Sequence, residues 1–228
     1  MKKVLVLGGS GFVGRHLCEA LNRHGIQVTV PTRRLPARSV QMLPFVTVVR
    51  ANVHDADSLR QLIAGHDSVV NLVAVLHGDE ARFEQLHVTL PTTLAQACLA
   101  AGVRRLVHVS ALGADLQGPS MYQRSKAQGE RALQSLASAQ GLALTLLRPS
   151  VIFGKDDAFI NLFAKLQKVF PLMPLAGAHT RFQPVSVLDV ALALMATLDN
   201  PRTTGQVYEL GGPEVLTLAQ LVQHAGRW

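Results

Sequence analysis

With 228 residues, 48% of them hydrophobic and 16% charged, the chain has the composition of an ordinary globular protein and enough length to bury a sizeable core. This composition excludes an intrinsically disordered chain, and no apolar run in it is long enough to span a bilayer. The formal net charge of +7 comes from scattered basic residues, so small anionic ligands account for it as well as nucleic acid would, and we expect no nucleic-acid partner.

Short β-rich runs alternate along the chain with segments whose apolar residues recur three and four positions apart, as in helices. This alternation predicts βαβ units and an α/β fold of the Rossmann type, a doubly wound parallel sheet with helices on both faces. The two cysteines, Cys18 and Cys98, fall far apart in helical patterns, so we interpret them as buried residues in a reducing compartment. The predicted strands are Lys3–Leu7, Ile26–Val30, Val46–Val49, Ser68–Leu72, Arg105–Val109 and Leu142–Leu147.

The first strand runs directly into GGSGFVG, where Gly8, Gly11 and Gly14 are each separated by two residues. A strand, a turn with this spacing and a helix that opens near Phe12 together form the context of a dinucleotide-binding fingerprint. Gly8 permits a tight turn, Gly11 lets backbone N–H groups approach a pyrophosphate, and Gly14 lets the helix pack closely on the strand. The alternative is a glycine-rich turn that binds nothing. The expected cofactor contacts of the turn are Gly8, Ser10, Gly11, Phe12, Val13 and Gly14.

The second strand ends at PTRR, where an NAD-specific protein usually offers a carboxylate to the ribose 2′-hydroxyl. Here Thr32, Arg33 and Arg34 occupy that place, and a guanidinium pairs with a 2′-phosphate, which a carboxylate would repel. We therefore expect NADP(H) in preference to NAD(H), which stays an alternative. The other interpretation of the two arginines is loop charge that faces solvent.

The third strand is followed by RANVHDADSL, which offers polar groups at the same edge of the predicted sheet. Asn52 and Val53 stand where an amide and a backbone N–H would recognise adenine. Asp55 or Asp57 is better placed to cap the next helix.

A second group of polar residues follows the fifth strand in HVSALGADLQGPSMYQRSK. Ser110 ends that strand, and Tyr122 and Lys126 are four positions apart on the next helix, so their side chains share one face. A neighbouring ammonium favours tyrosinate and lowers the pKa of a phenol toward the range of a general acid–base. Lys126 is also expected to bond the nicotinamide ribose, and Ser110 to steady a carbonyl oxygen. A YxxxK pair arises by chance in many sequences, and it gains weight here from the glycine turn.

Beyond Pro149, prolines divide the chain into short pieces, in which Phe153, Phe159 and Phe163 are expected to form the core of a small lobe. Asp189 is expected to cap a helix. We expect a dinucleotide-binding domain over residues 1–150 and, over 151–228, the remaining sheet strand with a small substrate lobe whose completeness the sequence leaves open. The predicted elements are helices over Ala158–Val169 and Asp189–Leu198, a strand near Gln206–Leu210 and a last helix from Thr217.

The order of these motifs is itself informative. GGSGFVG, NLVA at 71–74, HVSALGAD, YQRSK, LLRPSVIFG and FQPVSVLDVA resemble the short-chain dehydrogenase/reductase superfamily, from Met1 to about Trp228. They are most similar to its atypical, extended-type branch, which contains the NADPH-binding accessory subunit of mitochondrial respiratory complex I and bacterial proteins resembling nucleoside-diphosphate-sugar epimerases. The chain departs from the superfamily pattern at Ser110, which lacks a second hydroxyl residue beside it, and at His87, which stands close to the place of an active-site asparagine.

The resemblance implies further site residues. It matches the NLVA stretch to a cofactor wall and Tyr122 with Lys126 to the active-site pair. Arg181 is a candidate for binding a substrate phosphate, as an arginine at this place does in sugar-nucleotide enzymes, and His87 is a candidate proton shuttle at the substrate. His77 and His179 are candidates of the same kind as His87. The alternative for Arg181 is a surface ion pair, and for the three histidines it is a polar residue of a loop or helix. The remaining expected cofactor contacts are Leu72, Val73, Ala74, Val109, Pro149, Ser150 and Val151.

Two functions follow from these residues. The first is an NADP(H)-dependent oxidoreductase or epimerase-like enzyme, in which Tyr122 exchanges a proton with a substrate oxygen while a hydride moves to or from the nicotinamide. The second is a non-catalytic NADP(H)-binding protein, structural or redox-sensing, that docks on a respiratory complex or another partner. The intact YxxxK pair favours the first, and the incomplete set of active-site residues favours the second. We expect a cytoplasmic protein, peripheral to the inner membrane where such a partner holds it.

Overall fold

The structure is a computed structural model that describes residues 2–33, 35–157, 159–167, 175 and 177–225, with the backbone only for 164–167. The strands in these ranges are β1 (Lys3–Leu7), β2 (Gln27–Thr32), β3 (Val46–Arg50), β4 (Ser68–Asn71), β5 (Arg105–Val109), β6 (Ala143–Pro149), β7 (Ile152–Phe153), β8 (Arg181–Phe182), β9 (Val185–Ser186), β10 (Val207–Leu210) and β11 (Leu216–Thr217).

The α-helices in the same ranges are α1 (Phe12–Arg23), α2 (Arg38–Gln41), α3 (Ala56–Ile63), α4 (Glu80–Phe83), α5 (Leu90–Ala100), α6 (Met121–Gln140), α7 (Ile160–Gln167), α8 (Val187–Asp199) and α9 (Leu218–Ala225). A π-helical segment covers Glu84–Thr89 between α4 and α5. A short 3-10 helix covers Pro201–Thr203.

Seven of the described strands form one parallel sheet in the order β10-β6-β5-β4-β1-β2-β3, which confirms the predicted doubly wound α/β fold. From β1 the chain adds β2 and β3 on one side and then returns to place β4 on the other side of β1. The carboxyl ends of β1 and β4, Leu7 and Asn71, are paired in the register and flank this reversal. Ligands of open α/β sheets bind at such a topological switch point.

The sheet is buried on both faces, as the unbroken apolar runs of its central strands predict. In β1, Val4 and Val6 pack with Leu17 of α1 on one face. Leu5 and Leu7 pack on the other face, with residues of α3, α5 and α6. These four apolar side chains of β1 are fully buried.

The chain after residue 150 contributes to this sheet and also forms a smaller unit. β10 pairs with β6 at the edge of the sheet, and α8 packs against α1 over the first face. The smaller unit contains α7, α9 and the short antiparallel pair of β8 and β11. Phe153, Phe159 and Phe163 pack against its buried core, as predicted.

The predicted strands agree with the observed strands to within two residues at each end. The helix predicted over Ala158–Val169 is observed as Ile160–Gln167, and its predicted ends, residues 158, 168 and 169, lie outside the described residues. The last helix begins at Leu218, one residue after the predicted Thr217.

Two helix caps were predicted, and the structure confirms one of them. Asp55 caps α3, and its carboxylate accepts the Ser58 N–H at 2.8 Å. The prediction for Asp189 was wrong, because α8 begins two residues earlier at Val187. There the Ser186 hydroxyl accepts a backbone N–H at 3.2 Å, so Asp189 lies in the first turn.

Cys18 and Cys98 are free thiols and both are buried, in agreement with the interpretation of their helical patterns. Burial raises the pKa of each thiol to about 12, so both stay protonated at neutral pH. Every helix within the described ranges is too short or too polar to cross a lipid bilayer.

Candidate functional site

At Gly8 and Gly14, the turn after β1 packs closely against other backbone and leaves no room for a side chain. Gly8 has a φ of +80°, which favours glycine, and its carbonyl accepts the Gly11 N–H at 2.9 Å. A Cβ on Gly14 would lie 2.2 Å from the Gly8 carbonyl oxygen and 2.5 Å from the Gly9 Cα. At Gly14, helix α1 therefore touches the turn that directly follows the strand, and farther along the helix Leu17 packs on β1 as expected. Gly9, which the motif analysis overlooked, is enclosed by β2, because a Cβ there would stand 2.7 Å from a Val30 methyl.

The N-terminus of α1 offers backbone donors without a competing side chain. Its N-cap is Gly11, which makes no side-chain cap, and none of the residues of its first turn is acidic. Free N–H groups and the positive end of the helix dipole stabilise a phosphate. Together with the closed glycine turn, these features fit a diphosphate group.

Three other residues of this motif have different surroundings. Ser10 is exposed at the turn. Phe12 is half-buried, with the Arg15 guanidinium 5.6 Å from the centre of its ring. Val13 packs against the core of the first sheet face. Arg15 is itself engaged, because its guanidinium binds the Asp156 carboxylate at 3.0 Å.

The loops after β2 and β3 leave the same edge of the sheet as the glycine turn. Thr32 is the last residue of β2, and Arg33 is exposed directly after it. Arg34 lies outside the described residues. After β3, the Asn52 side-chain oxygen accepts the backbone N–H two residues on at 3.1 Å, and Val53 packs against the second face of the sheet.

Residues 72–75, here called the β4 loop, begin beside the glycine turn. The Leu72 N–H donates to the Leu7 carbonyl at 3.0 Å. The Leu72 backbone carbon lies 3.2 Å from the position that a Cβ on Gly8 would occupy. The first residue of the β4 loop therefore touches the turn that fits a diphosphate. The last predicted contact of this stretch, Ala74, is exposed.

Asn71, at the end of β4, ties the β4 loop to strand β5. Its side-chain oxygen accepts the Val73 N–H at 3.1 Å, and its amide lies 3.1 Å from Nδ1 of His108. Burial, together with the nearby Lys126 ammonium, holds the pKa of His108 well below its usual value, so this ring is neutral. The neutral Nδ1 accepts the hydrogen bond from the Asn71 amide.

The last residue of the β4 loop bonds to His87, which is 1% exposed and lies in the π-helical segment. The Val75 N–H donates to Nε2 at 3.2 Å, so the single ring proton is on Nδ1, which donates to Ser125 Oγ at 2.9 Å. Ser125 Oγ in turn donates to the Tyr122 carbonyl at 3.0 Å. Burial, with the nearby Lys126 ammonium, lowers the pKa of His87 to about 4. The ring is therefore neutral at physiological pH, and both its nitrogens have partners within the protein.

Tyr122 and Lys126 lie one turn apart on α6, as predicted. The Lys126 side chain is buried, and its ammonium donates to the Val109 carbonyl at the end of β5 at 3.2 Å. Burial lowers the pKa of Lys126 to about 8, although the nearby Glu130 opposes this shift. Burial raises the pKa of Tyr122 to about 12. The lysine was expected to lower the phenol pKa, and in this arrangement its ammonium bonds the strand carbonyl instead.

Helix α6 approaches the π-helical segment without a side chain between them. A Cβ on Gly129 would lie only 1.9 Å from the His87 carbonyl oxygen. The Tyr122 ring stands edge-on to the His87 ring, with 5.5 Å between centroids, and 6.3 Å from the Phe83 ring. The close approach at Gly129 thus brings these rings into contact.

Ser110, at the carboxyl end of β5, has an unusual environment. Its N–H donates to the Leu147 carbonyl at 2.8 Å, but its buried hydroxyl oxygen has no hydrogen-bond partner among the described residues. A buried polar group without a partner is costly. A ligand oxygen at this position would remove that cost.

A buried ion pair connects α6 to the sheet. Glu130, one turn after Lys126, is 2% exposed and accepts two hydrogen bonds from the Arg148 guanidinium, at 3.0 and 2.6 Å. Arg148 also lies 3.7 Å from Glu209 of β10. The helix that carries Tyr122 is thereby fixed to β6 and, through Arg148, to β10.

The remaining predicted residues lie at the carboxyl end of β6, in the smaller unit and, for His77, in the loop between β4 and α4. Pro149, Ser150 and Val151 follow the core of β6, and their backbone groups bond to the loop after β5, to β10 and to β9. Arg181 is exposed on β8, and His77 and His179 are exposed in loops. The sequence analysis did not identify Ser125, Gly129, His108 or Glu130. Ser125, Gly129 and Glu130 lie on the same helix as the YxxxK pair, which is their only local signal, and His108 on β5 had none.

Comparison with known proteins places these features in context. A model of the NAD dependent epimerase/dehydratase family matches residues 4–211. Two similar relatives are the mitochondrial NADH dehydrogenase (ubiquinone) 1 alpha subcomplex subunit 9 of Dictyostelium discoideum, 32% identical, and of Arabidopsis thaliana, 35% identical. The matches cover 93% and 96% of this chain, and the chain spans only 60% and 56% of the lengths of those relatives.

A solved structure of similar fold is a double mutant of dTDP-glucose 4,6-dehydratase from Streptomyces venezuelae, with NAD bound. The TM-score is 0.88, and the superposition covers 97% of this chain and 79% of the other. The two sequences are 23% identical, so the similarity establishes a shared fold.

Proposed function

The chain belongs to the NAD dependent epimerase/dehydratase family, and from that premise we propose that it binds NADP(H) and exchanges a hydride with a small-molecule substrate. One observation carries the proposal. The β4 loop touches Gly8 at one end and is bonded to His87, beside Tyr122, at the other. The β4 loop therefore joins the glycine turn to the Tyr–Lys pair at the switch point of the sheet, and we place the dinucleotide in a crevice along this loop.

The residues present fit a dinucleotide on the evidence of their surroundings. The glycine turn leads into the N-terminus of α1, which has no side-chain cap and no acidic residue in its first turn, and Ser110 offers a buried hydroxyl that lacks a partner among the described residues. We assign the diphosphate to residues 8–14, the 2′-phosphate to Arg33 and Arg34, and the adenine to Asn52 and Val53. The nicotinamide end is assigned to Leu72, Val73, Ala74, Val109, Lys126, Pro149, Ser150 and Val151.

The bound nicotinamide would supply the hydride donor or acceptor. The protein supplies the proton. Tyr122 is protonated at neutral pH, because its pKa lies at about 12, and it therefore serves as the acid that donates its phenolic proton to a substrate oxygen. To act as a base it must lose this proton, and a rotation of the Lys126 ammonium from the Val109 carbonyl toward the phenol favours that state. The Ser110 hydroxyl donates a hydrogen bond to the same substrate oxygen.

Within the chain, we assign cofactor binding to residues 1–150. Residues 151–228 add β10 to the sheet and, in the smaller unit, supply the substrate side of the crevice. Arg181 is the candidate for a substrate phosphate there, since its side chain is exposed and forms no ion pair within the part of the chain that the structure describes.

The cofactor assignment is tested by calorimetric titration of the protein with NADPH and NADH. We expect NADPH to bind more tightly by about tenfold, because a guanidinium gains a charge-assisted bond to the 2′-phosphate. Arg33→Ser should remove most of this preference while leaving the affinity for NADH unchanged. Tighter binding of NADH by the parent protein would contradict the assignment of the 2′-phosphate.

A second function is favoured by the relatives that are named as subunits of NADH dehydrogenase. In this alternative the chain binds NADP(H) without turnover, and a respiratory complex holds it at the periphery of the inner membrane. The partnered His87 ring and the raised pKa of Tyr122 suit such a role. Tyr122→Phe separates the two functions: an enzyme loses turnover and keeps the nucleotide, whereas a binding subunit keeps its assembly as well.

A further inference from the structure

The side chain of His87 joins two parts of the crevice that come from distant stretches of the chain. Its Nε2 receives the Val75 N–H from the β4 loop, and its Nδ1 lies 2.9 Å from Ser125 Oγ on α6. The Ser125 hydroxyl continues the chain to the carbonyl of Tyr122. The β4 loop and the helix turn that presents the phenol are therefore connected through one imidazole ring.

The local backbone is shaped to make this connection. His87 lies in a π-helical segment, and such segments interrupt α-helices at functional sites. Ser125 and Gly129 are one turn apart on α6, and the absence of a side chain at Gly129 lets the helix approach the His87 carbonyl. The approach is what allows Nδ1 to reach Ser125 Oγ.

We propose that His87 is a positioning residue, which acts as a neutral ring protonated on Nδ1 to hold the β4 loop and the Tyr122 turn of α6 in a fixed relation. The residue does not touch the reacting atoms. It sets the distance between the β4 loop, which is assigned to the nicotinamide end of the cofactor, and the phenol of Tyr122. This inference rests on the proposed function, since the β4 loop has this role only when a dinucleotide is bound.

Two substitutions of His87 each remove one of its two side-chain hydrogen bonds and keep the other. In His87→Asn the amide nitrogen takes the place of Nδ1 and keeps the bond to Ser125, while the acceptor for Val75 is lost. In His87→Gln the amide oxygen takes the place of Nε2 and keeps the bond from Val75, while Ser125 loses its partner. His66 provides a matched control away from the crevice, because its Nε2 lies 2.8 Å from Thr29 Oγ1 and its Nδ1 lies 3.2 Å from the Ile63 carbonyl.

The test measures the affinity of each protein for NADPH and for 2′,5′-ADP, a probe that lacks the nicotinamide half. We expect both His87 variants to bind NADPH about tenfold more weakly, as the loss of one buried hydrogen bond predicts, and to bind 2′,5′-ADP like the parent. His66→Asn and His66→Gln should bind both probes like the parent. Amide hydrogen exchange at Val75 should be faster than in the parent for His87→Asn and unchanged for His87→Gln.

If His87 only stabilises the fold, its substitution would weaken the binding of NADPH and of 2′,5′-ADP equally. If His87 has no role, its substitution would change neither affinity. Either result overturns the proposal. A parent protein that binds neither probe overturns the proposed function itself, and the two failures are distinguished because the second is read from the unmodified protein. Parent-like exchange at Val75 in His87→Asn would show that the ring does not hold the β4 loop, and would also overturn the proposal.

Discussion

The two halves of the crevice are constructed by different means. The glycine turn is held mainly by backbone contacts within a stretch of seven residues, and at Gly8 and Gly14 the lack of a side chain allows those contacts. The Tyr122 side is held by buried polar side chains whose partners are far apart in the chain, such as Asn71 with His108 and His87 with Ser125. The first half depends on local sterics, and the second depends on long-range packing that must satisfy each buried polar group.

The difference has a consequence for mutation. A change in the glycine turn meets rigid backbone, which cannot relax without moving a strand or a helix. A change on the Tyr122 side meets hydrogen bonds that can be lost one at a time. We therefore expect abrupt losses on the first side and graded losses on the second.

The largest effect is expected for Gly14→Ala. The added methyl would lie 2.2 Å from the Gly8 carbonyl oxygen, so α1 must move away from the turn. We expect the free energy of unfolding to fall by about 3 kcal/mol, and nucleotide binding to be lost, in urea denaturation and titration experiments. Gly11→Ala is the control for stability, because the nearest atom to its added methyl would be the Gly8 carbonyl oxygen at 3.2 Å, and the φ of −79° at Gly11 suits any residue. Equal stability of the two variants would contradict the packing described for the turn.

The next effect is expected for Tyr122→Phe, which removes the acid and leaves the ring contacts with His87 and Phe83 in place. If the chain is an enzyme, turnover of its substrate should fall by about a hundredfold or more, while NADPH affinity stays like that of the parent. Steady-state kinetics with a carbonyl or sugar-nucleotide substrate found by screening provide the measurement. Unchanged turnover would remove Tyr122 from the mechanism.

A smaller loss of stability is expected for Glu130→Gln on the Tyr122 side. The Arg148 guanidinium would lose its buried carboxylate partner, and we expect the free energy of unfolding to fall by about 2 kcal/mol in urea titrations. Asp57→Asn, which breaks the exposed pair with Arg60, serves as the matched control and should cost less than about 1 kcal/mol. A control that costs as much as Glu130→Gln would show that burial adds nothing to the ion pair.

The smallest effect concerns pH. Because the folded protein holds the pKa of His87 at about 4, below the unfolded value of about 6.5, the unfolded chain binds more protons between these values. Stability is therefore fully present above pH 6.5 and falls as the pH drops toward 4, and His108 acts with the same sign. His87→Gln should reduce the slope of stability against pH in this window by up to about 1.4 kcal/mol per pH unit. An identical slope would show that His87 does not titrate below its ordinary pKa.

Much of the fold could be predicted, because its signals are local. Unbroken apolar runs marked the central strands, and Gly8 with its neighbours marked the turn that the structure shows with φ at +80°. The Tyr122–Lys126 spacing likewise placed both residues on one helix face. The cap at Ser186 was missed because serine and aspartate both cap helices, and only the geometry chooses between them.

The polar connections of the site could not be predicted. Nothing in the sequence near His87 shows that its ring bonds a loop twelve residues earlier and a helix thirty-eight residues later. The direction of the Lys126 ammonium depends in the same way on the Val109 carbonyl of a separate strand. The expected pKa of Tyr122 was therefore wrong in sign for the free protein, because burial outweighed a lysine charge that bonds elsewhere.

The central claim is that the turn around Gly8 and Gly14 holds the diphosphate of a pyridine nucleotide. Calorimetric titration of the parent protein and of Gly11→Ala and Gly14→Ala with NADPH tests it most directly. We predict one saturable site in the parent, weaker binding in the first variant and none in the second. Binding of NADPH by Gly14→Ala at parent affinity, or no binding of either NADPH or NADH by the parent, would contradict the claim.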